Sequence, residues 1–221
     1  MRRLSGIFAV CFLLFCGGCA HLPARSVSPE ETQMFLDNFT SKMSHKYETL
    51  GLVVFKYWFF SLPSLGMTSV DLDRDYLAVA GVTPVGITLF RVVSLQGKIT
   101  QSFVVPELAR RGDVAKVVAG NIRDIYFEWA PKEPFVAQSR GEKIYLKTLV
   151  QDGLEKEYIF SENDRTLLEK RLYKKGKLFW KISYDGWSAD ADGKIHPKSI
   201  RFQHRAYRYQ LLINSKEVKP L

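Results

Sequence analysis

The chain predicts an α+β fold in which two helices accompany one large antiparallel sheet. Three observations carry this expectation. Short runs rich in β-branched and aromatic residues, such as "KIYLKTLV" and "KLFWKISY", recur with turn residues between them at hairpin spacing. Two other segments, after Ser28 and after Asp113, place apolar residues at helical spacing behind a capping side chain. No repeat, low-complexity tract or long linker divides the body, so residues 30–221 read as a single domain behind a leader, 1–18, and a tether, 19–29.

The leader is read from its own layout. Met1-Arg2-Arg3 is cationic and Ile7 to Cys16 is apolar without a charge, the pattern of a secretory signal peptide. The run is too short to cross a hydrocarbon layer of ~30 Å, which asks for about 20 apolar residues. All three cysteines, Cys11, Cys16 and Cys19, lie in these first nineteen positions. Gly17 and Gly18 precede Cys19, which resembles the lipobox of bacterial lipoproteins, where the peptidase cuts before a cysteine that carries lipid. Cys16 stands where a lipobox usually has Leu. The resemblance implies lipid attachment at Cys19; the rival reading is an ordinary signal peptide that contains cysteines. The resemblance implies a diacylglyceryl thioether plus an N-acyl chain, three acyl chains in all, and at about 0.8 kcal/mol per buried CH₂ they make an effectively permanent anchor. Ala20, with no Asp after the cysteine, leans towards the outer membrane, with the body facing the periplasm.

Removal of 1–18 leaves 30 basic against 23 acidic side chains, a net charge of +7. That balance suits anionic lipid headgroups or lipopolysaccharide, and export argues against nucleic acid. A single remaining cysteine excludes an internal disulfide, so stability must come from burial. With 46% hydrophobic residues, among them 15 Phe, 10 Tyr and 4 Trp, the chain can supply one sizeable core.

Taken in order, the first helix has Ser28 as N-cap, acids in its first turn, and Met34, Phe35, Phe39, Met43 and Tyr47 in helical phase. "LGLVVFKYWFFS" follows as one strand, apolar on both faces, with Val53, Phe55, Tyr57 and Phe59 on one side and Leu52, Val54, Trp58 and Phe60 on the other. Turns at Asp73-Arg74-Asp75, Thr83-Pro84-Val85-Gly86 and Gln96-Gly97-Lys98 break the next segment into short strands. The second helix is capped by Asp113, carries Val114, Val117, Val118, Ile122, Ile125 and Trp129 as its apolar stripe, and stops at Pro131. About six strands then follow, with hairpin turns at Asp152-Gly153, Lys175-Gly176 and Asp192-Gly193. Arg201, Gln203, Arg205 and Tyr207 alternate against Ile200, Phe202, His204 and Ala206 as the wet and dry faces of a late strand.

Chemistry is sparse. His21, His45, His196 and His204 stand at no zinc spacing, and neither GxSxG nor a phosphate-binding loop occurs. "SADADGKI" places Asp190 and Asp192 as in a calcium loop, but Ser188 and Ser199 occupy the positions that need carboxylates, so an Asp-Gly turn explains it. No metal, cofactor or catalytic residue is expected, and an envelope hydrolase lacks a nucleophile beside a base.

An exported chain with an early amphipathic helix, an antiparallel sheet, a mid-chain helix and many aromatics resembles the LolA/LolB-like superfamily of periplasmic lipoprotein carriers. "VAGVTPVGITLFRV" followed by "GNIRDIYFEWAP" is similar to uncharacterised proteobacterial lipoproteins related to LolB, and "GKIHPKSIRFQHRAYRYQLLI" to their late hairpin. The resemblance covers about Glu30 to Asn214 and implies an unclosed antiparallel half-barrel wrapping helices around a hydrophobic cavity. It implies a non-enzymatic carrier or receptor for lipid or lipoprotein acyl chains. Val53, Phe55, Tyr57 and Phe59 would form a cavity wall and Trp129 a lid contact, in a cavity of several hundred Å³ lined by aromatics. The rival reading is that these residues pack the core beneath the helices, and a solidly packed interior would count against the carrier. The alternative is a structural or assembly partner that docks an envelope membrane protein through an apolar patch or an open strand edge.

Overall fold

The computed structural model describes residues 25–221, apart from Arg111, Glu133 and Ala191; the leader, Cys19 and most of the tether lie outside them. Helix α1 spans Pro29–Ser41 and begins as its sequence dictates: the Ser28 hydroxyl accepts the Glu31 N–H, and Pro29 fills the first turn. The helix buries Thr32, Leu36 and Phe39 and ends four residues before the sheet begins, so Met34 faces solvent and Tyr47 belongs to a strand. A short α2, Pro106–Ala109, precedes α3, Val114–Tyr126, where the Asp113 carboxylate accepts the Lys116 N–H.

The thirteen strands form one antiparallel sheet. They are β1 (Arg25–Ser26), β2 (Lys46–Tyr57), β3 (Phe60–Asp71), β4 (Tyr76–Val82), β5 (Thr88–Leu95), β6 (Lys98–Val104) and β7 (Val136–Arg140). The rest are β8 (Lys143–Val150), β9 (Leu154–Ser161), β10 (Leu167–Lys174), β11 (Lys177–Ala189), β12 (Ile195–His204) and β13 (Tyr209–Pro220). Their spatial order is β1-β7-β8-β9-β10-β11-β12-β13-β2-β3-β4-β5-β6. The two halves of the chain thus join where β13 pairs with β2, Ile213 opposite Val53 and Leu211 opposite Phe55. β1 and β6 are the sheet's two ends and do not pair with each other, so the barrel is unclosed. Residues that pair across antiparallel strands point to the same side, which puts Val53, Ser64 and Ile213 on the concave face together with Phe55, Leu62 and Leu211.

Three local expectations are corrected. The run "YWFF" is not the middle of one strand: Tyr57 pairs with Phe60 across a tight turn, and Trp58 adopts φ of 53°. Such a left-handed conformation is unusual for a bulky residue, and no Gly or Asn marks the turn. The late alternation stops at His204, and Arg205 to Arg208 form the β12–β13 turn. The buried stripe of α3 runs through Ala115, Ala119, Ile122, Ile125 and Tyr126, while Val117 is half exposed and Trp129 lies beyond the helix.

Candidate functional site

The concave face is built from inward residues of β2–β5 and β8–β13. Trp180, Ile182 and Tyr184 of β11 stand opposite His204, Phe202 and Ile200 of β12, and all six are buried. α1 covers one part of this face through Leu36 and Phe39, whose ring meets Phe160 edge-on at 5.2 Å and Trp187 at 5.8 Å. α3 and Trp129 cover another; Trp129 packs on Tyr184 at 5.4 Å, Trp187 at 5.9 Å and Tyr126 at 6.5 Å.

The expected aromatic-lined cavity is therefore filled. The space enclosed by Met43, Tyr47, Tyr126, Trp129 and Ile195 amounts to about 10 Å³, at most enough for one water. The reason is the helical cover, whose small Ala115 and Ala119 bring α3 close and whose Ile122, Ile125 and Tyr126 occupy the concavity. Two larger hollows, of about 450 and 440 Å³, are open; the second sets Leu168, Tyr184, Trp187 and Ile195 beside Lys42, Asp164 and Arg165, a mixed lining that leans apolar. The first is bordered by Arg123, Asp124, Glu128, Lys156, Lys170 and Arg171, with Trp180 and Tyr158 behind them.

Besides its buried apolar stripe, α3 is fastened by polar side chains at its C-terminal end. Lys170, 4% exposed, donates from Nζ to the carbonyls of Asp124 at 2.5 Å, Phe127 at 3.0 Å and Ile125 at 3.3 Å. These are the last carbonyls of the helix, which lack intrahelical partners and where the helix dipole favours a cation. The Tyr184 hydroxyl donates to the Ile125 carbonyl at 2.7 Å, the Tyr209 hydroxyl donates to Asn121 Oδ1 at 2.9 Å, and Arg123 pairs with Asp75 at 2.5 Å. Burial pushes the Lys170 ammonium below its usual range, opposed by the nearby Asp124 charge. Burial likewise pushes the Asp124 carboxyl up, opposed first by Lys170. Trp129 Nε1 is buried without a hydrogen-bond partner among the described residues, which costs about 1–3 kcal/mol.

The sequence-derived candidates fall in separate places. Val53 and Phe55 are half-buried on the concave face, Phe55 meeting Tyr209 at 5.6 Å. Tyr57 shares that face at its rim, whereas Phe59, fully exposed, sits in the β2–β3 turn. Trp129 is 5% exposed and lies with Tyr47 and Thr49, towards the other end of β2. Cys19 is outside the described residues. Lys170, Tyr184 and Asn121 were not picked out by sequence reasoning, although Lys170 stands in phase with Leu168 and Leu172, an apolar setting for a lysine.

Residues 65–217 match the model of a family described as Protein of unknown function (DUF3261), which spans more than half of the chain. The chain belongs to this family. No curated protein matches it. Among solved structures, this family member is similar to a LolA superfamily protein from Nitrosomonas europaea, with TM-score 0.59 and 11% identity over 86% of this chain and 93% of that one. It is also similar to a putative outer membrane lipoprotein-sorting protein domain from Vibrio parahaemolyticus, with TM-score 0.55 and 8% identity over 85% and 91% of the two chains. A DUF1329 family protein from Desulfovibrio piger gives TM-score 0.63 and 11% identity over 85% and 90%. The DUF3261 chain thus has the LolA-like fold, an unclosed antiparallel half-barrel carrying a few helices.

Proposed function

We propose that this protein is a non-catalytic envelope lipoprotein that binds lipid or lipoprotein acyl chains on the concave face of its half-barrel. Its anchor in this reading is an acylated Cys19, and its site is the outer membrane, facing the periplasm. The observation that carries the reading is the cover: a concave face of aromatic and aliphatic side chains is closed by helices, not by a second sheet. An acyl chain that replaces α3 exchanges one apolar cover for another. At about 25 cal/mol per Å² on both sides, the hydrophobic terms nearly cancel, and the polar fastenings decide the balance. Val53, Phe55 and Tyr57 then form the wall, Phe59 stands at the lip and Trp129 beneath the cover.

The test is native mass spectrometry of residues 19–221 carrying Cys19→Ser, exported behind an ordinary cleaved leader and purified from a bacterial envelope. A bound acyl species that is lost in Val53→Asp/Phe55→Asp, with the circular dichroism unchanged, is the expected result. An apo mass in repeated preparations overturns the reading. One observation favours an assembly partner in its place: β6 is an edge strand exposed along nearly its whole length, open to pairing with an envelope protein.

A further inference from the structure

Three hairpins that are neighbours in the sheet, β10–β11, β12–β13 and β2–β3, put their turns at the same end of the half-barrel. The β2–β3 turn projects Trp58, 67% exposed, and Phe59, 100% exposed, with their rings in edge contact at 6.4 Å. Around them stand Lys56, Lys174, Lys175, Lys177, Arg205 and Arg208, all exposed. No acid occurs in these three turns, Lys56 to Ser61, Tyr173 to Leu178 and His204 to Tyr209, and none of the six bases forms an ion pair with a described residue. The opposite end mixes both signs, its turns setting Asp73, Asp75, Glu162, Asp164, Asp190 and Asp192 beside Arg74, Arg165 and Lys194. At the aromatic end the β8–β9 turn, outside the three hairpins, carries Asp152.

We propose that this end of the barrel is a docking surface for an anionic phospholipid bilayer, with Trp58 and Phe59 entering the headgroup layer and the flanking bases facing the lipid phosphates. Charge complementarity selects the occupant, because an exposed base cluster without acids gains most against a negatively charged surface. Shape selects a bilayer over a protein. Two aromatic rings at the apex of a convex hairpin need a matching pocket on a protein, whereas a membrane interface accepts an aromatic ring at any point of its plane. The surface holds its form on a layer of rings beneath it: Tyr207 lies on His204 at 4.5 Å, and His204 on Phe179 at 4.7 Å and Tyr209 at 5.1 Å. This surface is separate from the concave face, and its failure leaves acyl-chain binding standing.

The experiment is sedimentation of residues 19–221 carrying Cys19→Ser, exported behind an ordinary cleaved leader, with vesicles of phosphatidylcholine alone and of phosphatidylcholine with phosphatidylglycerol. Two variants share that background, Trp58→Ser/Phe59→Ser and Lys174→Glu/Arg205→Glu/Arg208→Glu, and Lys98→Glu at the opposite end is the control. Binding is expected to the anionic vesicles only, to weaken at least tenfold in both variants, to persist in the control, and to fall with added salt. Binding that is absent, that ignores phosphatidylglycerol, or that survives both sets of changes overturns the proposal. Retention of the native lipid signal in the mass spectrometry above by Lys174→Glu/Arg205→Glu/Arg208→Glu, none of which the acyl-chain site uses, keeps the two readings apart.

Discussion

His204 is 6% exposed, and its Nδ1 accepts the Tyr207 N–H at 3.3 Å, so the neutral ring fits the site. Burial holds its pKa below the ordinary value of 6.5. Between that lowered folded value and 6.5 the unfolded chain binds more protons, so stability falls on acidification through this window, by at most about 1.4 kcal/mol per pH unit. His196, lowered by burial against the pull of Asp190, adds the same sign, while Asp124, raised by burial from 3.8 to about 6, adds the opposite sign between those two values and so offsets part of the loss below about pH 6. The loss of denaturant midpoint between neutral pH and pH 5 is therefore expected to shrink in His204→Gln, with the remainder reduced further when His196→Gln is added. An unchanged slope in His204→Gln means that the ring is already solvated in the native state.

At the scale of the element, α3 buries an apolar stripe on the concave face and is also held by polar side chains that arrive from the sheet. Lys170→Met removes the donor shared by three carbonyls and is expected to destabilise the fold by about 2–4 kcal/mol in urea titrations. The same variant is expected to take up a fluorescent fatty acid more readily, since the cover is loosened more than the wall beneath it. A neutral ΔΔG would show that apolar packing alone seats the helix. Both helix starts were legible in the sequence because Ser28 and Asp113 act within four residues of chain, and β8 follows its alternating run from end to end. The phase of α3 was not, because Val117 and Ala119 differ in burial only through what packs against them. Trp58-Phe59 carries no turn residue, so the hairpin there looked like a long strand. Lys170 lay hidden because an inward lysine and a solvated one read alike until the carbonyls it meets are placed.

The whole molecule has two unlike ends, and the chain enters at the one without the aromatic hairpin. Arg25 pairs with Ser139 beside the β7–β8 turn, at the end where Asp73, Asp164 and Asp190 lie. β2 has 12 residues and runs about 36 Å along the strand at ~3.3 Å per step, which with a barrel-like tilt of about 35–45° sets the aromatic turn about 28 Å from that end along the axis. If Cys19 carries the acyl anchor, residues 19–24 extend by at most about 20 Å, at ~3.3–3.6 Å per residue. An upright barrel then offers Trp58 and Phe59 to a bilayer other than the one that holds its anchor. Vesicles loaded with the acylated protein are accordingly expected to clump anionic vesicles that lack it, as read by light scattering, and Trp58→Ser/Phe59→Ser is expected to abolish the clumping without releasing the anchor. Should the barrel lie flat, no clumping occurs, and Trp58 fluorescence is quenched by brominated lipid placed in the anchoring vesicles themselves. The two results separate a protein that spans the gap between two lipid surfaces from one that works along a single surface.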